Sequence, residues 1–185
     1  GTDMERVCRK AEEKAGLPVR PCYMYALTRE GRKPPMVHVR QSLYSLLEPG
    51  RKKGNVVNLL GYFSPLVDDC ELYTLLQDAG VKTIREISRC EDFEEYKKMS
   101  EANFNLVLHP EARFAAEDFH DRLKIPFIEL RRLYQIDKIE SQYQAFGAAI
   151  GAEFHAEDQK KQAQEAIESF RKVCPNPVFA IGECA

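Results

Sequence analysis

The sequence predicts an α/β protein built on a doubly wound, Rossmann-like parallel sheet with flanking helices, preceded by a partial α/β segment. Three observations carry this. Short apolar runs ending near Gly or charged residues recur at 55–61, 81–87, 104–108 and 125–130. Between and after them lie amphipathic stretches at helical spacing, 69–79, 91–102, 111–123 and 136–150. Each crossover spans a dozen residues or more, which suits parallel strands and not hairpins. Right-handed crossovers then place helices on both faces of the sheet.

Taken in order, residues 3–15 put Met4, Val7, Cys8, Ala11 and Ala15 on one helical face, and Gly16 and Pro18 end the helix. Val19 to Tyr25 reads as a strand, 27–35 as a loop, and Val37 to Leu47 as a helix with Leu43, Leu46 and Leu47 inward. Residues 48–54 combine Pro, two Gly and Arg51-Lys52-Lys53, the composition of a linker. In the helix over 69–79, Leu72, Leu75, Leu76 and Ala79 form the core face, with Gly80 as a stop. Phe114, Ala115, Phe119 and Leu123 do the same for 111–123. A long helix with a charged exposed face comes next over 152–173, and Val178 to Ile181 reads as a strand, either of a further domain or at the edge of this one.

Composition bounds the function. Hydrophobic residues are 44% and charged residues 30% of the 185, which suits a chain with a real core and excludes a disordered or collagen-like one. No apolar run approaches the roughly 18 to 20 residues of a membrane span. Net charge is −2, but residues 1–54 hold 12 Lys/Arg against 6 Asp/Glu, and the remainder holds 15 against 23. No aromatic residue interleaves the basic cluster 51–53, so single-strand nucleic-acid stacking is not expected. The six cysteines form no C-x-x-C pair, so zinc-knuckle spacing is missing and reduced thiols in a cytoplasm are the simplest expectation.

In an open α/β sheet, ligands bind outside the carboxyl ends of the strands. The first such end, from Gly61 and Tyr62 to Asp69, lacks the glycines of a dinucleotide loop, and Asp68 and Asp69 read as a helix N-cap. Cys90 stands just past the second strand. The third end gathers an imidazole, a carboxylate and a guanidinium: His109, Glu111 and Arg113 around Pro110. His109 is a candidate metal ligand or proton donor. Pro110 and Glu111 also suit a helix start. The fourth end, Glu129 to Tyr134, either lines the same crevice or is an ordinary charged loop.

The strings V-N-L-L-G (57–61), E-L-Y-T-L-L-Q-D-A-G-V (71–81), A-N-F-N-L-V (102–107) and K-I-P-F-I-E (124–129) resemble the middle domain of nitrogenase component 1-type oxidoreductases. That superfamily includes the molybdenum–iron protein subunits, their cofactor-assembly scaffold and dark-operative protochlorophyllide reductase. Thr2-Asp3-Met4-Glu5 resembles the family's G-D-D-[ILV]-E segment, and Val19-Arg20-Pro21, Gly31 and the helix near His38 resemble the family's next segment. The resemblance implies residues 1–54 as the end of a first α/β domain and a linker, 55–151 as the Rossmann-like middle domain, and 152–185 as a long helix and strand leading to a truncated third domain. It implies an iron–sulfur cluster, metallocluster or tetrapyrrole bound by the full-length protein and no such group held by this piece alone. It implies as partners a related component 1-type subunit and an ATP-dependent iron–sulfur reductase, with no nucleic acid and no membrane. Gly61, Tyr62, His109, Glu111 and Arg113 are the implied cofactor-binding residues, with Arg113 on an anionic group. His109 is the implied catalytic and metal-ligating residue. It aligns with a cysteine that ligates the cofactor in catalytic nitrogenase subunits, a departure that weighs against molybdenum nitrogenase activity. A cluster assembly scaffold and a metal-free ligand-binding domain are the alternatives to an enzyme.

Overall fold

The computed structural model describes residues 2–23 and 35–178. These form two compact units, within residues 1–132 and 133–185.

The first unit opens with α1 (Met4–Ala15). Asp3 caps it by accepting from the Arg6 N–H, and Gly16 closes it at φ 67°. The helix buries only Cys8, so Ala11 and Ala15 face solvent, against the expected inward stripe. The strand expected over Val19 to Tyr25 does not form within 19–23, and residues 24 and 25 lie outside the described residues. The physical reason is a competing partner. The Glu12 carboxylate accepts from the Val19 N–H at 3.1 Å and from Arg20 at 2.8 Å, so this backbone bonds a side chain and not a ladder. The expected loop at 27–35 and the segment around Gly31 fall almost entirely outside the described residues. Helix α2 (Pro35–Tyr44) comes next.

The sheet contains β1 (Val56–Leu60), β2 (Thr83–Glu86), β3 (Phe104–Val107) and β4 (Phe127–Glu129), all parallel in the order β2-β1-β3-β4. In the register, Val57 faces Ile84 and Phe104, Asn58 faces Asn105, and Val107 faces Glu129. β1 is buried at every position, as a central strand covered on both faces must be. The remaining helices of this unit are α3 (Glu71–Asp78), α4 (Phe93–Lys97) and α5 (Arg113–Leu123). The α/β parallel architecture read from the sequence is therefore the observed one.

One core joins these elements. Leu60 of β1 and Val107 of β3 pack with Tyr44, Leu47, Tyr96, Met99, Phe119 and Ile125. Each large apolar side chain buried there is worth about 2 kcal/mol. Tyr44 meets Phe119 edge-on at 5.0 Å, and the Tyr96 hydroxyl donates to the Leu43 carbonyl at 2.6 Å. The helix expected over 91–102 is split into α4 and a 3-10 turn at Lys98–Glu101. Carbonyls in that turn serve tertiary donors: Met99 accepts from Asn58, Ser100 from Lys52, and Glu101 from the Lys53 N–H. The basic segment before β1 is thereby fastened to the sheet.

The second unit holds α6 (Ile136–Ile150) and α7 (Glu157–Val173). Gly151 ends α6 in the left-handed region, so the helix expected from 152 starts later. Phe154 in the connection stacks on Phe146 at 5.3 Å. Of the expected last strand, only Val178 lies within the described residues.

Candidate functional site

The strand order decides where ligands can bind. From β1 the chain crosses to β2 on one side, then returns to β3 on the other side of β1. The order reverses between β1 and β3, and the crevice outside their carboxyl ends is the ligand site of such sheets. The residues just past β1 and β3 are Gly61-Tyr62-Phe63 and Leu108-His109-Pro110-Glu111.

Gly61 is buried where the two strand ends converge. A Cβ there would lie 3.2 Å from the Leu108 Cβ. Tyr62 is 45% exposed, and its ring sits edge-on to the His109 ring at 4.8 Å. His109 is half-buried and caps the short turn at Pro110–Ala112, its Nδ1 accepting from the Glu111 N–H at 3.2 Å. In the neutral ring the proton therefore sits on Nε2. Burial, the largest cause, and the cations Arg40 and Arg132 hold the imidazole pKa below its ordinary value, against a smaller opposite pull from Glu111. The ring is thus a neutral N–H donor near pH 7.

Two arginines not singled out from the sequence complete the arrangement. Arg40 of α2 is 4% exposed, and its guanidinium donates to the Gly61 carbonyl and lies over the Phe63 ring at 4.5 Å. Its Nε is 4.0 Å from a Glu111 oxygen and has no hydrogen-bond partner among the described residues. Arg132, just past β4, donates to the Tyr62 hydroxyl at 3.1 Å. A signal for Arg40 was present: Val37, Arg40, Tyr44 and Leu47 are all buried and keep helical spacing, so a guanidinium occupies a core-stripe position. Nothing local distinguishes Arg132 from its neighbour Arg131.

The structure brings Gly61, Tyr62, His109 and Glu111 together. Arg113, on the first turn of α5, is held instead by Glu117 at 3.0 Å and Glu129 at 3.3 Å. Asp68 pairs with Arg89 at 2.7 Å, and the residue at the N-cap of α3 is Cys70, not either aspartate. The Cys90 thiol packs against the core and contacts the Glu86 carbonyl, and burial pushes its pKa up, which disfavours a thiolate. Among the described residues, no three His, Cys, Asp or Glu gather as a metal-ligand set. No described helix is long and apolar enough to cross a membrane.

The family model for nitrogenase component 1 type oxidoreductases matches residues 1–181. This chain belongs to that family. No curated protein matches it closely enough to add a relative. Membership in the component 1-type family fits the parallel sheet and directs attention to the β1/β3 crevice.

Proposed function

We propose that this chain is part of a nitrogenase-like, iron–sulfur-dependent oxidoreductase subunit whose β1/β3 crevice holds the redox group, a metallocluster or a tetrapyrrole. The observation that carries this reading is the position of His109. Its imidazole stands at the carboxyl end of β3, in the switch-point crevice, where the resemblance aligns a cluster-ligating cysteine. Engagement of Nδ1 by the Glu111 N–H favours the proton-donor role of His109 over the ligand role. With no gathered ligand set among the described residues, the crevice suits such a group as a wall of donors and not as a complete set of ligands.

A bound group of this class would supply one-electron chemistry. The chain's own residues supply the rest. Gly61 lets the two strand ends approach closely, and Tyr62 covers one side of the imidazole. His109 Nε2–H holds a proton toward the crevice. Glu111 and Arg40 brace the loops from below. Electrons would come from an ATP-dependent iron–sulfur reductase in the cytoplasm, with a related component 1-type subunit as the second partner. In the whole protein, 1–54 would close a first domain and 152–185 lead into a third.

The test is anaerobic reconstitution of the full-length protein with iron and sulfide, read by absorption and electron paramagnetic resonance beside His109→Ala. A cluster signal that shifts in the variant is expected. An unchanged signal removes His109 from the site, and no uptake in either protein leaves the metal-free domain. Turnover with a reductase partner separates an enzyme from an assembly scaffold.

A further inference from the structure

The cations around the crevice are not equally satisfied. Arg113 is held by Glu117 and Glu129, and Arg131 by Glu129 at 3.4 Å. Arg40 has Glu111 at 4.0 Å, a distance that compensates it only in part. Arg132 has no carboxylate within ion-pair distance among the described residues, and its one hydrogen bond there is to the Tyr62 hydroxyl.

The direction of that bond matters. The guanidinium donates, so the hydroxyl oxygen accepts and the Tyr62 proton is left to donate elsewhere. His109 has spent Nδ1 on the Glu111 N–H, so its open nitrogen is also a donor. Arg132, the Tyr62 hydroxyl and His109 Nε2 therefore all offer N–H or O–H, while the nearby Glu111 carboxylate is drawn toward Arg40. Beneath them lies the buried Arg40 guanidinium, whose Nε is unpartnered among the described residues. Such a set matches an anion, and the planar guanidinium fork matches the two oxygens of a carboxylate. A phosphate is less suited, because the loop after β1 has no glycine-rich cradle of backbone N–H groups.

We propose that Arg132, with the Tyr62 hydroxyl and His109 Nε2–H, forms a carboxylate-recognition site at the mouth of the β1/β3 crevice. This rests on the crevice being the ligand site and names Arg132, not Arg113, as the residue that holds the ligand's acidic group. Arg132 is exposed, so replacing it leaves the packing of the core untouched.

The probe is malonate, titrated into the full chain at constant ionic strength and tracked by the NMR signals of the His109 ring. Inorganic phosphate and chloride are titrated in parallel. A saturable malonate response is expected, weakened about tenfold in Arg132→Gln and several-fold in Tyr62→Phe. The charge-matched control Arg171→Gln, on α7, should bind as the unaltered chain does. No saturable response overturns the proposal, as does equal binding by Arg132→Gln, or phosphate binding as strong as malonate binding. Malonate binding by a protein that takes up no cluster would uphold this site while removing the metallocluster reading. Cluster uptake without any malonate response would do the reverse.

Discussion

Arg122 shows how one side chain can end a helix. From α5 it donates to the Tyr44 carbonyl at 3.0 Å, which also accepts from the Leu47 N–H at 3.1 Å, and to the Leu47 carbonyl just past the end of α2. Asp118 holds the guanidinium in place at 2.8 Å. Arg122→Ala should cost about 2 kcal/mol, because two oriented carbonyls lose a charged donor. Urea unfolding would show this as a lower midpoint with an unchanged slope. His109 makes a second prediction at this scale. Its folded pKa lies below the ordinary value of 6.5, so the unfolded chain binds the proton first as pH falls. The stability it contributes is fully present above that value and is lost as pH drops toward the folded pKa. Between about pH 7.5 and about pH 5, His109→Gln should therefore lose less stability than the unaltered chain. Equal losses would contradict this sign.

At the scale of elements, β1 and β3 are joined by a polar pair inside the core. Asn58 and Asn105 are both fully buried and face each other in the register. The Asn58 amide donates to the Asn105 side-chain oxygen and to the Met99 carbonyl, each at 2.8 Å. Asn58→Ala should cost about 2 to 3 kcal/mol, since it strands the buried Asn105 oxygen and leaves the Met99 carbonyl only the longer bond from the Ala102 N–H. The double variant Asn58→Ala/Asn105→Ala should cost less than the sum by more than about 0.5 kcal/mol. A double-mutant cycle in urea measures that difference. In the second unit, a Cβ on Gly147 would lie 2.5 Å from the Ala152 carbonyl oxygen. Gly147→Ala should destabilise the α6 turn by about 1 to 3 kcal/mol, visible as an earlier thermal loss of helical circular dichroism. The four strands were legible because apolar runs bounded by turn residues need no distant information. The split of the 91–102 helix was not, because its cause is Lys52, Lys53 and Asn58 reaching in from another part of the chain.

Across the whole molecule, several of the described cations in the first 54 residues, including Lys52 and Lys53 of the basic cluster, are engaged by the fold. Lys53 pairs with Glu101 at 2.8 Å, Lys52 donates to the Ser100 carbonyl, and Arg20 pairs with Glu12 at 2.8 Å. Gly50 lies so close to Ser100 that a Cβ would meet its Oγ at 2.7 Å. A fluorescent single-stranded oligonucleotide should accordingly show no anisotropy change with this chain at about 0.15 M salt, where exposed charges are screened beyond roughly 8 Å. Tight binding under those conditions would mean that the cluster has a partner other than its own sheet.

By itself the sequence determined the alternation of strands and helices, the parallel sheet and the place of His109 at a strand end. These come from continuous apolar runs bounded by turn residues and from apolar spacing with a period of 3.6 residues, which are local. Only the tertiary structure decided that β1 and β3 are neighbours with the reversal between them, that Arg40 enters the core beneath Gly61, and that Arg132 and not Arg113 reaches Tyr62. The Tyr62 and Arg132 partners are 70 residues apart, and such a contact leaves no periodic trace in either segment. It arises when the strand order brings two loop ends together, and the charges there then sort themselves by which carboxylates lie within reach.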